Sequence, residues 1–338
     1  MAASSPRNTQ PQPEADALQQ RLGYTEPIFN ASMAGAAGGA LAAAVSAAGG
    51  FGMLGIGGND TKEWIDQQSG LAASASRPWG AGLMAWVLEK SLDPLHQVLA
   101  HGPSFICVCF GEPGPAAAAA HEAGAWVGMQ VGNAAELERA LQSDIDVVIC
   151  RGSEGGGHGR NEVSTLPLLQ LALSSTEKPV IAAGGIATKA GVAAVLGAGA
   201  SAAWIGTRFA TATESLSHPN IKQAIGSAGI DDTVYTRAFD IAQRIAWPVE
   251  YGGRALRNDF SDAWADDIEG LSAAVGQGGD ISRAVDEARV KADVSTAPVY
   301  AGQSAGLSTT GQSAARIVAD LAGFRELLNR AAGRWDSR

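Results

Sequence analysis

The chain has 338 residues, of which 46% are hydrophobic and 17% charged, so it can bury a large core. Its formal net charge of −10 argues against a nucleic-acid partner or an anionic membrane surface, both of which attract basic patches. No apolar run approaches the roughly 18 residues of a membrane span, and no signal-type apolar stretch opens the sequence. The three cysteines, Cys107, Cys109 and Cys150, lie in apolar strand-like runs rather than at metal-ligand spacing. Reduced, buried thiols in a cytoplasmic protein without a metal site are therefore expected. A disulfide between Cys107 and Cys109 would lack suitable geometry at i, i+2.

Met1 to Gln20 is rich in Ser, Pro, Gln and Ala and reads as a loose tail. Eight apolar runs follow, at Pro27–Met33, Phe51–Ile56, Trp79–Ala85, Phe105–Phe110, Trp126–Val131, Val147–Gly152, Val180–Gly184 and Ala202–Phe209. They are apolar throughout rather than alternating, as strands covered on both faces should be. Helix punctuation lies between them. Gly49-Gly50 closes a small apolar helix, Asp93-Pro94 opens another, Asn133 with Glu136 resembles a capping box, and Thr188 can cap a helix ended by Gly197. After Thr211 the alternation stops, and no strong strand pattern appears up to Gln303. Asp259, Asp262, Asp266, Asp267 and Glu269 cluster there, and a solvated face is favoured over a cation site. From Leu307 the pattern is helical again, with Ile317, Leu321 and Phe324 on one face. The fold predicted is α/β, a (β/α)₈ TIM barrel with an inserted, mainly helical second domain. Its expected divisions are a flexible N-terminal tail over 1–20, a barrel over 21–213, a helical lid over 214–303, and a C-terminal helix over 304–338 that returns to the barrel.

In a barrel of this kind the chemistry sits at the C-terminal strand ends. The sixth run leads into Arg151-Gly152-Ser153-Glu154-Gly155-Gly156-Gly157-His158-Gly159-Arg160. Glycines allow close backbone approach, and His158 can exchange protons near neutral pH, although a plain Gly-rich turn is the structural alternative. Gly184-Gly185 after the seventh run and Trp204-Ile205-Gly206-Thr207 at the eighth stand where this fold often binds phosphate through backbone N–H groups. They point to a phosphorylated ligand or cofactor. Asn30-Ala31-Ser32-Met33-Ala34-Gly35 ends the first run, either as a tight turn or as a surface for a flat aromatic ring. Tyr300 is a substrate-pocket candidate. Trp247 and Trp264 are candidates to line a lid pocket, with packing the first reading for either. His96, His101, His121 and His218 read as surface or helix-end residues.

Ala31 to Gly35, Gly155 to Gly159, Ala182 to Ala187, Ile205 to Phe209 and the late Ala301-Gly302-Gln303-Ser304-Ala305-Gly306 follow the order seen in nitronate monooxygenases, formerly called 2-nitropropane dioxygenases. Thr236-Arg237-Ala238-Phe239 and Gly253 to Asn258 also resemble a branch of that family. The resemblance spans roughly Pro27 to Leu307. It implies an FMN-dependent oxidoreductase flavoprotein whose alkyl nitronate or nitroalkane substrate is oxidised with O₂ to a carbonyl compound and nitrite. By motif match, His158 is the catalytic histidine. FMN would meet Ala31, Met33, Gln130, Arg151, Gly156, Gly157, Gly184, Gly185, Trp204, Ile205, Gly206 and Thr207, with Tyr300 and Gln303 toward the substrate. A homodimer is the oligomeric form to test for.

Three positions depart from the family pattern. Ser32 replaces a common proline, Gly82 falls where an asparagine often ends the third strand, and Arg151 stands in place of a glutamine. The Arg151 guanidinium can pair with phosphate or a reduced flavin, or equally form a structural salt bridge to Glu154 or Glu162. FMN-dependent enoyl-thioester reductases, which draw electrons from NAD(P)H, resemble this family and share a Gly-Gly-His loop, so they are the rival activity. A non-catalytic binder of flavin or a phosphate ligand is the rival from another class.

Overall fold

The computed structural model describes residues 13–336; the part of the expected tail over 1–12 lies outside the described residues. The rest of that tail differs from expectation. Pro13–Leu22 is a helix, and its Leu18 and Leu22 are fully buried against the barrel interior together with Tyr24. The ring of Tyr24 meets Phe29 edge-on at 5.2 Å, so this helix plugs the N-terminal end of the barrel. Among the described residues Leu18, Leu22 and Tyr24 carry this contact, and of these only Leu18 falls in the stretch whose composition suggested looseness.

Eleven strands are present among the described residues: β1 (Ile28–Asn30), β2 (Gly52–Gly55), β3 (Trp79–Met84), β4 (Phe105–Cys109), β5 (Trp126–Val131), β6 (Val147–Arg151), β7 (Gly157–Gly159), β8 (Val180–Ala183), β9 (Ala202–Ile205), β10 (Thr233–Thr236) and β11 (Gly252–Leu256). Eight of them form one parallel sheet in the order β1-β9-β8-β6-β5-β4-β3-β2. A parallel bridge between Phe29 and Phe51 joins its two edges and closes the barrel. The eight sequence runs thus become the eight staves, the last shortened because Thr207–Ala210 turns helical.

Each stave is buried on both faces. In β4, Phe105, Cys107 and Cys109 belong to the interior cluster, whereas Ile106 and Val108 belong to the layer between strands and helices. This two-sided burial removes the polar face that would have made the runs alternate. Thr188 caps its helix by accepting from Gly191 N at 3.3 Å, as expected. Asn133 accepts from Glu136 N at 2.9 Å, but the Glu136 carboxylate turns to Gly132 N instead of completing the box. Leu92, not Asp93, precedes the helix Asp93–Leu99, and Ser91 Oγ accepts the Asp93 N–H at 3.0 Å. The C-terminal helices Ala314–Leu321 and Phe324–Asp336 pack beside Gly39–Ala47 and Lys189–Gly197, filling the outer ring between the last stave and the first.

The insertion is mainly helical, but it contains strands that the sequence pattern did not announce. β10, β11 and β7 form a three-stranded antiparallel sheet. His158 pairs with Gly253 in that sheet, so the Gly-rich loop of the barrel is a strand of the cover above it. The pattern was hidden by Gly252 and Gly253, which are needed because a Cβ there would lie 2.8 Å from the Tyr235 ring and 2.7 Å from the Tyr300 ring, respectively. Among the described residues no helix is long and apolar enough to cross a membrane.

Candidate active site

The loop leaving β6 is organised around Arg151. This side chain is 5% exposed, and its guanidinium donates to the carbonyls of Gly155 at 2.6 Å, Gly156 at 3.1 Å, Gly157 at 3.0 Å and Arg160 at 3.3 Å. Burial pulls its pKa down to about 10. No salt bridge from Arg151 to Glu154 or Glu162 is found among the described residues; its planar fork serves four carbonyls of its own loop. The carbonyls of Gly156 and Gly157 are turned to Arg151, and the Cα of Gly156 lies against Gly302 too closely for any side chain.

Glu154 ties this loop to its neighbours. Its carboxylate accepts from Thr165 N at 3.0 Å and Thr165 Oγ1 at 2.9 Å, and its carbonyl accepts from Gln303 N at 3.0 Å. A Cβ on Gly185, whose φ is +69°, would lie 3.3 Å from Glu154 Cβ. Gly302 N donates to Thr207 Oγ1 at 3.0 Å. Gly302 therefore touches the histidine loop on one side and the phosphate-type loop on the other. Beneath the loop, Arg254 donates to Ser153 O at 2.9 Å, Thr233 Oγ1 at 3.2 Å and Asn161 Oδ1 at 2.6 Å, all uncharged partners. Two buried guanidinium groups, Arg151 and Arg254, thus lie near the Glu154 carboxylate.

The first and last staves meet at the opposite wall. Ala31 N donates to Ile205 O at 2.9 Å, and a Cβ on Gly206 would lie 3.5 Å from Met33 Sδ and 3.6 Å from Ala31 Cβ. Ala31, Met33, Gly206 and Thr207 are thereby brought together. Gln130 faces the barrel axis at the end of β5, where Cys109 Sγ lies 3.9 Å from its Oε1. Two expected cofactor side chains are not in the mouth. Trp204 packs in the barrel interior near Phe29 and Phe105, and Ile205 is fully buried in the outer layer. Alternation along β9 dictates both, leaving only their main-chain groups near the strand end. The Gln303 side chain is exposed.

His158 sits where barrel and cover join. Its Nε2 is 2.8 Å from Asp240 Oδ1, and its ring stacks on Trp247 at 3.7 Å with the planes 6° apart. The Tyr300 ring lies 5.2 Å away, and its hydroxyl donates to Asp240 Oδ1 at 3.4 Å. Burial, then the nearby Asp240 charge, pushes the Tyr300 phenol up, so it stays protonated. Trp247 also contacts Trp86 at 5.2 Å and Phe110 at 4.9 Å, linking the loops after β3 and β4 to the cover. Trp264 instead packs within the helical cluster of the insertion.

Asp240 was missed in the sequence. The signal was present: one acid within the helical run Ala238-Phe239-Asp240-Ile241-Ala242, directly after the family-like Thr236 to Phe239. The other histidines lie outside the site. His101 and His121 have aspartate partners, and His218 caps a helix. No group of residues that could hold a metal ion is found among the described residues. In the acidic cluster, Asp267 is a helix cap, accepting from Gly270 N at 2.9 Å.

The chain is similar to known proteins over most of its length. Residues 92–323 match the family described as nitronate monooxygenase. A nitronate monooxygenase of Paraburkholderia phytofirmans is 29% identical, with 90% of this chain and 93% of the relative covered. FabK from Thermotoga maritima superposes with a TM-score of 0.78 at 29% identity, covering 94% of this chain and 98% of that one. A nitroalkane oxidase from Streptomyces ansochromogenes superposes with a TM-score of 0.78 at 26% identity, covering 94% and 99%.

Proposed function

Since the chain belongs to the nitronate monooxygenase family, we propose that this oxidoreductase uses FMN to convert small alkyl nitronates or nitroalkanes, with O₂, into a carbonyl compound and nitrite. The observation that supports this reading best is the place of Gly302, which touches both the loop that carries His158 and the Thr207 loop.

The residues present fit FMN. Gly184, Gly185, Gly206 and Thr207 would hold the phosphate, since these strand ends combine glycine backbone and a hydroxyl. Ala31 and Met33 would lie beside the flavin ring, and Gln130 would face it from across the barrel. When bound, FMN would accept the electrons that leave the substrate and pass them to O₂. Arg151 shapes the loop, Trp247 covers one face of His158 and keeps water from it, and His158 takes the carbon-bound proton of a neutral nitroalkane. The barrel over 21–213 supplies the cofactor site in this reading, and the insertion over 214–303 supplies its cover.

The enoyl-thioester reductase reading is favoured by one observation, the likeness to FabK at the same TM-score as to the nitroalkane oxidase. Anaerobic reduction separates the two. Bleaching of the flavin by propionate-3-nitronate or nitroethane, and not by NADH or NADPH, is expected. Bleaching by the nicotinamides alone would overturn the nitronate reading.

A further inference from the structure

Asp240 is a buried carboxylate with too few donors. Its side chain is 3% exposed, and Oδ2 has no hydrogen-bond partner among the described residues. Oδ1 receives His158 Nε2 at 2.8 Å and, more weakly, the Tyr300 hydroxyl at 3.4 Å. Its ion-pair partner among the described residues is His158, with no lysine or arginine in reach. Such burial costs several kcal/mol unless a positive or proton-donating group answers it, and packing alone does not explain it. The surroundings are built for the contact. A Cβ on Gly253 would lie 2.7 Å from the Tyr300 ring and 3.4 Å from His158 Nε2, so glycine is what lets the three groups converge.

From this geometry we infer that Asp240 is a positioning residue: it accepts the Nε2 proton of His158, holds the neutral ring as the Nε2–H tautomer, and leaves Nδ1 as the nitrogen that exchanges a proton with substrate. This rests on the reading of His158 as the active-site histidine. In the step concerned, a substrate C–H bond breaks, its electron pair stays on the substrate as the nitronate, and the proton goes to Nδ1. The resulting imidazolium is balanced by the Asp240 carboxylate. Trp247 fixes the plane of the ring by stacking, so the imidazole is held from its face and from its edge. Tyr300, on the segment before Gly302, is the other titratable group in contact with the pair. Arg289 on the helix Asp280–Lys291 acts on Tyr300, and Arg237 precedes the Asp240 helix with its buried Nε lacking a hydrogen-bond partner among the described residues.

The test is the tautomer itself. In protein carrying isotope-labelled histidine, with His158→Gln used for assignment, the neutral His158 ring is expected as Nε2–H with a strongly downfield proton. Asp240→Glu should keep that signature, and Asp240→Asn should lose it, since the amide can donate to Nε2 and force the Nδ1–H form. Asp240→Asn is also expected to lower kcat on nitroethane by about 10²–10⁴-fold while flavin content and KM stay within a few-fold. A wild-type ring in the Nδ1–H form, or an Asp240→Asn enzyme with wild-type kcat, would overturn the inference. If the wild type oxidises no nitroalkane, the proposed reaction fails, but the tautomer measurement on the wild type still decides the role of Asp240. The same measurement stands if the asparagine variant folds poorly.

Discussion

Ser32 occupies the space into which a side chain at position 82 would project. A Cβ on Gly82 would run into both Ser32 Oγ and Ser32 Cβ. The two departures from the family pattern, one on the turn after β1 and one on β3, therefore meet at one point, where Ser32 fills the space a side chain at position 82 would need. Gly82→Asn alone should overpack the mouth and destabilise the protein by about 1–3 kcal/mol. Adding Ser32→Gly should recover part of that loss, with a coupling on the order of 0.5–3 kcal/mol. Urea unfolding of the two single variants and the double variant measures it, and strict additivity would contradict the contact.

Arg151 is expected to be irreplaceable by lysine. A single ammonium cannot reach the carbonyls of Gly155, Gly156, Gly157 and Arg160 together, and each buried carbonyl left without a donor costs about 1–3 kcal/mol. Arg151→Lys should lower the unfolding midpoint and loosen the loop, which limited proteolysis between residues 151 and 160 would report. An unchanged midpoint would place the carbonyl fork outside the stability of the loop.

Trp247→Ala removes the ring stacked on His158 from a loop that is otherwise half-exposed. The loss of stability should be about 1.5–4 kcal/mol, in line with three ring contacts, to His158, Trp86 and Phe110. A second effect should be on substrate choice, with KM for short nitronates rising while bulkier ones are accepted more readily. Equal changes in KM across a series of chain lengths would mean that the ring does not border the substrate.

The cysteines should be silent in the native protein. Burial pushes the Cys150 thiol up to about 12, and Cys107 is raised by its hydrogen bond to Cys109, 3.4 Å away, together with its own burial. At pH 8 the Cys150 thiolate is then about one part in 10⁴. A thiol reagent should label Cys150 and Cys107 only after unfolding. The sign of the pH effect follows. Above the ordinary thiol value of 9.0 the unfolded chain loses the Cys150 proton while the folded one keeps it, so stability falls as pH rises from about 9 toward about 12. Stability that rises across that range would contradict the assignment.

Gly185→Val should abolish cofactor retention, because φ at this position is +69° and Glu154 Cβ leaves little room. His158→Asn should retain the cofactor and lose turnover of neutral nitroalkanes. Flavin content and turnover, read side by side, separate the two roles. Full turnover by His158→Asn would remove the histidine from the chemistry.

The barrel was legible because eight buried staves impose eight apolar runs, and Gly-rich strand ends such as Gly184-Gly185 announce close backbone approach. What escaped the sequence is mostly the work of long-range pairing. β11 contains two glycines and pairs with β7 across the barrel–lid junction, so neither alternation nor propensity marks it. Asp240 reads as an ordinary acid in a short helix until the fold brings it to His158, 82 residues away in sequence. The directions of two side chains were also hidden: the buried Arg151 guanidinium seeks the nearest carbonyls, and alternation along β9 turns the Trp204 indole inward.

The most direct measurement is the visible spectrum of the purified protein, with chemical identification of whatever chromophore it releases. A yellow protein that gives up FMN in equal amount to the chain, and that bleaches anaerobically with a nitronate, is the expected result. A colourless protein that takes up no added FMN would contradict the glycine cradle as a cofactor site, and with it the proposed chemistry.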